Sequence, residues 1–129
     1  MIHVLDTHAL TRYIEGSRQL GPDGRAAVVD ASSVRGLPTI ILAEARFMIA
    51  KNKVSIFWRD IVSVIQTDTR FVVHPLTLEV LDLMPDGLEM HDAIICATAM
   101  LLRDSLGEDV AVITRDREIR ESGHVQTVW

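Results

Sequence analysis

Hydrophobic positions along the chain fall into short unbroken runs that alternate with longer stretches of three-to-four spacing. Ile2 to Leu5 is a short run and predicts a strand ending at Asp6. Asp6 or Thr7 is placed to cap a helix through about Glu15. Asp23 to Val34, rich in Ala and Val, predicts a second helix, and Leu37 to Ile40 a short strand. Helical spacing resumes from Leu42 to Lys51. It returns from about Ser55 to Thr67, where Ile56, Phe57, Ile61, Val64 and Ile65 form an apolar stripe. Phe71 to His74 predicts a strand closed by Pro75, and Thr77 to Leu83 a short helix. Met90 to Leu102 is apolar nearly all round and predicts a helix buried on most sides. Asp109 to Ile113 reads as a strand, Arg115 to Glu121 as a helical turn or two, and Val125 to Val128 as a final strand. Strands alternating with helices predict the α/β class. The expectation is a three-layer α/β/α domain, residues 1–129, around a central mostly parallel sheet.

Composition narrows this further. The 129 residues are 48% hydrophobic, which supports a core and excludes a disordered chain. Cys96 is the single cysteine, so no internal disulfide forms and a cysteine-based zinc site is disfavoured; it reads as a small core residue. No apolar run approaches the roughly 20 residues of a membrane helix, and no basic leader precedes Ile2. A soluble, cytoplasmic protein without membrane partners is expected. Thirteen Lys+Arg against 18 Asp+Glu give a net charge of −5, which lacks the basic excess of a general polyanion binder. All the basic residues except Lys51 and Lys53 are Arg, which can grip phosphate bidentately.

Most acids lie on polar faces or in loops, and four do not. Asp6 ends the first strand, and Glu44 follows Thr-Ile-Ile-Leu-Ala, in the first turn of its expected helix. Asp92 opens the most apolar helix, and Asp116 stands two residues beyond Val-Ala-Val-Ile-Thr. Ligand sites of parallel α/β sheets lie outside the carboxyl ends of the strands. Each acid alone could be a helix cap or a complement to a helix dipole. Four carboxylates in one crevice would repel one another unless protons or a cation compensate them. Carboxylates without Cys or paired His suit Mg²⁺ or Mn²⁺ rather than Zn²⁺, and such ions serve phosphodiester hydrolysis.

At these residues the sequence resembles the PIN-domain family, in particular VapC-type toxins of toxin–antitoxin pairs. The segments that carry the resemblance are Val4-Leu5-Asp6-Thr7-His8-Ala9-Leu10, Glu44, His91-Asp92-Ala93-Ile94-Ile95-Cys96-Ala97-Thr98-Ala99, Ile113-Thr114-Arg115-Asp116 and the ending Val125 to Trp129. The resemblance implies an Mg²⁺/Mn²⁺-dependent endoribonuclease. Asp6, Glu44, Asp92 and Asp116 would hold the metal, with Thr7 and Thr114 as accessory polar residues. Glu118 stands where the family often carries a further, shorter acid. The resemblance also implies an RNA substrate, a small inhibitory antitoxin and a homodimer.

Arg115, Arg117 and Arg120 cluster beside Asp116 and are candidates for phosphate contact, against a plain solvated helix face. His91 and His3 read as local structural residues, and Met48, Met90 and Met100 as core fill. The alternative to catalysis is an inactive PIN-like module that binds RNA or protein. A haloacid-dehalogenase-type phosphatase needs a second Asp where His8 stands. A receiver domain needs a late Lys that the chain lacks.

Overall fold

The chain opens with β1 (Ile2–Leu5), followed by α1 (Thr7–Glu15) and α2 (Pro22–Val29). Next come β2 (Val34–Pro38), α3 (Thr39–Ala50), α4 (Trp58–Thr67) and β3 (Phe71–His74). It finishes with α5 (Leu78–Asp82), α6 (Met90–Leu106), β4 (Val110–Ile113), α7 (Arg117–Ser122) and β5 (Gln126–Val128). In this computed structural model, which describes residues 1–129, all five strands form one sheet in the order β3-β2-β1-β4-β5. Every pairing is parallel; Val4, for example, lies beside Gly36 on one side and Val112 on the other.

The expected three-layer α/β class is what the sheet forms. β1 and β4 are its centre, and every residue of both is buried, so both faces are covered. Parallel strands buried on two faces need unbroken apolar runs, and Ile-His-Val-Leu and Val-Ala-Val-Ile come close to that. Val4, Leu5, Val112 and Ile113 are fully excluded from water, each worth about 1.5–3 kcal/mol of burial. The edge strands β3 and β5 are only partly buried. In α6 the stretch Ala93 to Ala99 is buried without interruption, as its all-round apolar character requires.

Four expectations need correction. The helix expected to reach Val34 stops at Val29. Asp30 ends it by turning on itself: its Oδ1 accepts from the Ser32 N–H at 2.9 Å and the Ser32 hydroxyl at 2.8 Å. The strand expected at Leu37 to Ile40 instead spans Val34–Pro38, and Thr39, Ile40 and Ile41 are helical. Glu44 therefore lies in the second turn of α3, not the first. Met90, expected in the core, is exposed at the start of α6.

Candidate active site

From β1 the chain moves toward β2, and from β4 toward β5. The two connections diverge and leave a crevice beyond the carboxyl ends of the central pair. Asp6 is the residue after β1, and Thr114 to Asp116 follow β4. The Asp6 N–H donates to the Ile113 carbonyl at 3.2 Å, and the Thr114 N–H to the Val128 carbonyl at 3.0 Å. Both segments are thus pinned to the sheet.

Two of the four acids also cap helices. Asp6 Oδ1 accepts from the Ala9 N–H at 2.7 Å and caps α1. Asp116 Oδ1 accepts from the N–H groups of Glu118 at 2.8 Å and Ile119 at 3.1 Å and caps α7. The Asp116 N–H donates to Thr114 Oγ1 at 3.0 Å. Capping fixes these carboxylates in place without neutralising them. Asp92 is the third residue of α6 and caps nothing. The Thr7 hydroxyl, itself buried, donates to Glu44 Oε2 at 3.1 Å. His91 Nδ1 stands 3.8 Å from the same oxygen.

Asp6, Glu44, Asp92 and Asp116 line a single cleft of about 360 Å³, together with Thr7, His8, Glu89, His91 and Arg115. The sequence-derived quartet is brought together. No Lys or Arg forms an ion pair with any of its members; the Arg ion pairs are Arg70–Asp68, Arg103–Asp104 and Arg117–Glu121. No three Asp, Glu, His or Cys side chains close into a ready-made metal cage.

The electrostatics show how crowded the negative charge is. The Asp92 carboxyl is pushed up to about 6, first by desolvation, then by the charges of Asp116, Glu89, Asp6 and Glu118. Burial raises the Asp6 carboxyl, opposed by the Thr114 hydroxyl and the Ala9 N–H. Burial and the nearby acids lift the Cys96 thiol to about 11, so it is an inert core residue.

The remaining candidates separate. Thr7 holds Glu44, and Thr114 supports Asp6 and Asp116. Arg115 reaches the cleft. Arg117 and Arg120 do not line it: Arg117 is bound to Glu121 at 2.8 Å, and Arg120 faces a neighbouring hollow with Trp129. Glu118 lies outside the cleft, in an adjoining hollow with Asp92 and Asp116. Glu89 lines the cleft and was not singled out from the sequence. Its signal is its place: it precedes α6 by one residue, one turn from Asp92, on the face that carries that acid.

Asp92 gives a pH dependence with a definite sign. Its folded-state value lies above the ordinary aspartate value of 3.8, so the folded protein holds a proton that the unfolded chain has released between those limits. Stability is full below about pH 4 and falls as pH rises through about 6. The full shift corresponds to roughly 3 kcal/mol, and the partial exposure of the side chain reduces that to about 1 kcal/mol. Metal-free Asp92→Asn is therefore expected to exceed the parent by about 1 kcal/mol in denaturant melts near pH 8, with the gap closing near pH 4. An unchanged gap across that range contradicts the crowding.

No protein-family model matches the chain, and no curated protein matches it in sequence. Its fold does match a chain in the crystal structure of VapBC2 from Rickettsia felis bound to a DNA fragment from their promoter. The match has a TM-score of 0.69 and 12% sequence identity, and covers 100% of this chain and 99% of that one. The PIN-like α/β architecture is shared end to end.

Proposed function

We propose that this protein is a divalent-metal-dependent endoribonuclease of the toxin type. One observation carries the reading: four carboxylates from three separate helix starts and one helix turn meet in one cleft at the sheet's switch point, and no Lys or Arg pairs with them. Helix caps alone would not require that convergence. The donor set suits Mg²⁺ or Mn²⁺ in kind, being carboxylate oxygens without thiolate. Mg²⁺ commonly retains water and takes only one or two carboxylates, so a closed protein cage is not required. Asp6, Asp92 and Asp116 would hold the ion, with Glu44 completing the site. A divalent ion bound there supplies orientation of the phosphodiester, acidification of a water and stabilisation of the departing oxygen.

The chain's own groups do the rest. Thr7 fixes the rotamer of Glu44, and the capping bonds fix Asp6 and Asp116. Arg115 at the rim supplies a cation to the RNA backbone. Glu89 and Asp92 keep the cleft negative, so RNA alone is repelled and RNA with a bound cation is not. The likeness to a chain of a VapBC2 structure supports an antitoxin protein as the partner, and the family resemblance implies a homodimer as the working form. No helix is long and apolar enough to cross a membrane.

The test is cleavage of total cellular RNA by the purified, antitoxin-free protein. Discrete fragments with Mg²⁺ or Mn²⁺, absent with chelator, are the expected result. Intact RNA in both metals, from folded protein, overturns the nuclease and favours an inactive binding module.

A further inference from the structure

Beside the acidic cleft lies a second hollow of about 380 Å³, lined by Asp23, Thr114, Arg115, Arg120, Thr127 and Trp129. Its character is opposite to that of the cleft. Two guanidinium groups face one carboxylate, and two hydroxyls, an indole and Val128 complete the wall. Arg115 belongs to both hollows, so the two are contiguous. Neither Arg115 nor Arg120 forms an ion pair, whereas Arg117, one turn from Arg120 on α7, is tied to Glu121. Arg115 sits over the Trp129 ring, 5.8 Å from its centroid. Trp129 packs against the core, which holds the indole in place.

Unpaired Arg beside a fixed aromatic ring is the chemistry that receives a single-stranded nucleotide: phosphate on the guanidinium, base against the aromatic or Arg plane. We propose that this hollow is a nucleotide subsite of the cleft. It takes an unpaired RNA nucleotide flanking the scissile bond, with Arg115 and Arg120 on the phosphate and the Arg115–Trp129 pair against the base. Asp23 and the Thr127 hydroxyl are the polar groups available to the base and sugar. The subsite favours unpaired RNA over duplex, because a paired base offers no free face. Its role as a flanking position rests on the nuclease reading; its binding chemistry does not.

The test is fluorescence anisotropy with a labelled short single-stranded oligoribonucleotide of mixed sequence, in Ca²⁺ to offset the negative charge of the cleft, with the RNA checked intact afterwards so that binding is read without cleavage. Arg120→Ala is expected to weaken binding about fivefold and to reduce the salt slope by about 0.7. Trp129→Ala is expected to weaken it about tenfold. Arg117→Ala is the control and should leave affinity unchanged. Arg120 is exposed, so its variant folds even if Trp129→Ala does not. Equal affinity of Arg120→Ala and Arg117→Ala, or tighter binding of the matching RNA duplex, overturns the subsite. Metal-dependent cleavage by the parent protein is scored separately. If cleavage is present and Arg120→Ala binds normally, the subsite fails alone. If cleavage is absent and Arg120→Ala binds weakly, the nuclease reading fails alone.

Discussion

Asp6→Asn and Asp6→Ala are both expected to lower RNA cleavage by about a hundredfold or more, and only Asp6→Ala is expected to lose stability. Asp6 has two roles that the two substitutions separate. One is charge at the carboxyl end of β1, in contact with the cleft. The other is the cap on α1 through Oδ1 and the Ala9 N–H at 2.7 Å. The Asn amide oxygen keeps the cap and removes the charge; Ala removes both. Losing the cap costs about 1 kcal/mol, or about 3–5 °C in Tm for a domain of this size. Asp6→Asn instead relieves a buried charge whose proton affinity is already raised, so it should melt at or above the parent. Paired measurements of Tm and cleavage rate check this. Asp6→Asn retaining more than about a tenth of the parent rate would confine Asp6 to capping.

The second large effect lies away from the cleft. Arg35, the second residue of β2, is fully buried. Its guanidinium donates to the carbonyls of Val28 at 2.5 Å, Asp30 at 2.6 Å and Ser33 at 2.7 Å. It also lies over the Phe71 ring, 5.6 Å from the centroid. One side chain thus ties together the end of α2, the following turn and the β3 edge. Arg35→Ala leaves those acceptors without a donor and opens a cavity. Each unpaired buried group costs about 1–3 kcal/mol, and partial access of water brings the total to about 3–5 kcal/mol. That is a large share of the roughly 6–19 kcal/mol expected of a chain this long, and a fall in Tm of about 10–20 °C. Arg35→Met fills the space without serving the carbonyls and should fall between. Chemical denaturation checks the series; a loss below about 1 kcal/mol for Arg35→Ala contradicts the tether.

Arg35 also shows why part of the fold was hidden in the sequence. Val34-Arg35-Gly36 does not resemble an inner strand, because a charge and a glycine break its apolar run. The charge is tolerated because the turn after α2 brings three carbonyls to it, a circumstance no local pattern displays. Gly36 relieves a close approach, because a Cβ there would stand 3.1 Å from the His74 ring and 3.3 Å from Val4 and those side chains would have to give way. Thr39-Ile40-Ile41 looks like a strand by β-branching, yet burial of Ile41 in the core outweighs that weak preference. By contrast, β1 and β3 begin and end as their apolar runs do.

The site was more legible than the fold's boundaries. Asp6 and Asp116 stand beside strand ends, where the sheet itself predicts ligands. Asp92 and Glu44 depend on helices folding back over that edge, and their places early in expected helices, together with the motif likeness, marked them. Glu89 escaped because an acid just before a helix has an ordinary explanation, and its nearness to Asp116 exists only in the folded chain. The three arginines beside Asp116 looked equivalent in sequence. Pairing with Glu121 sets one of them apart; the other two share a hollow, and of these Arg115 alone also lines the cleft.

Titration of Mn²⁺ into the metal-free protein by calorimetry, parent against Asp92→Asn, addresses the proposed cation site without needing the right RNA. Saturable binding is expected, with proton release near pH 6 and affinity rising about tenfold between about pH 5 and pH 7 as Asp92 ionises. Asp92→Asn should lose most of the affinity and the proton release. No saturable binding by the parent, or equal binding by the two proteins at every pH, would contradict a cation site built on these carboxylates.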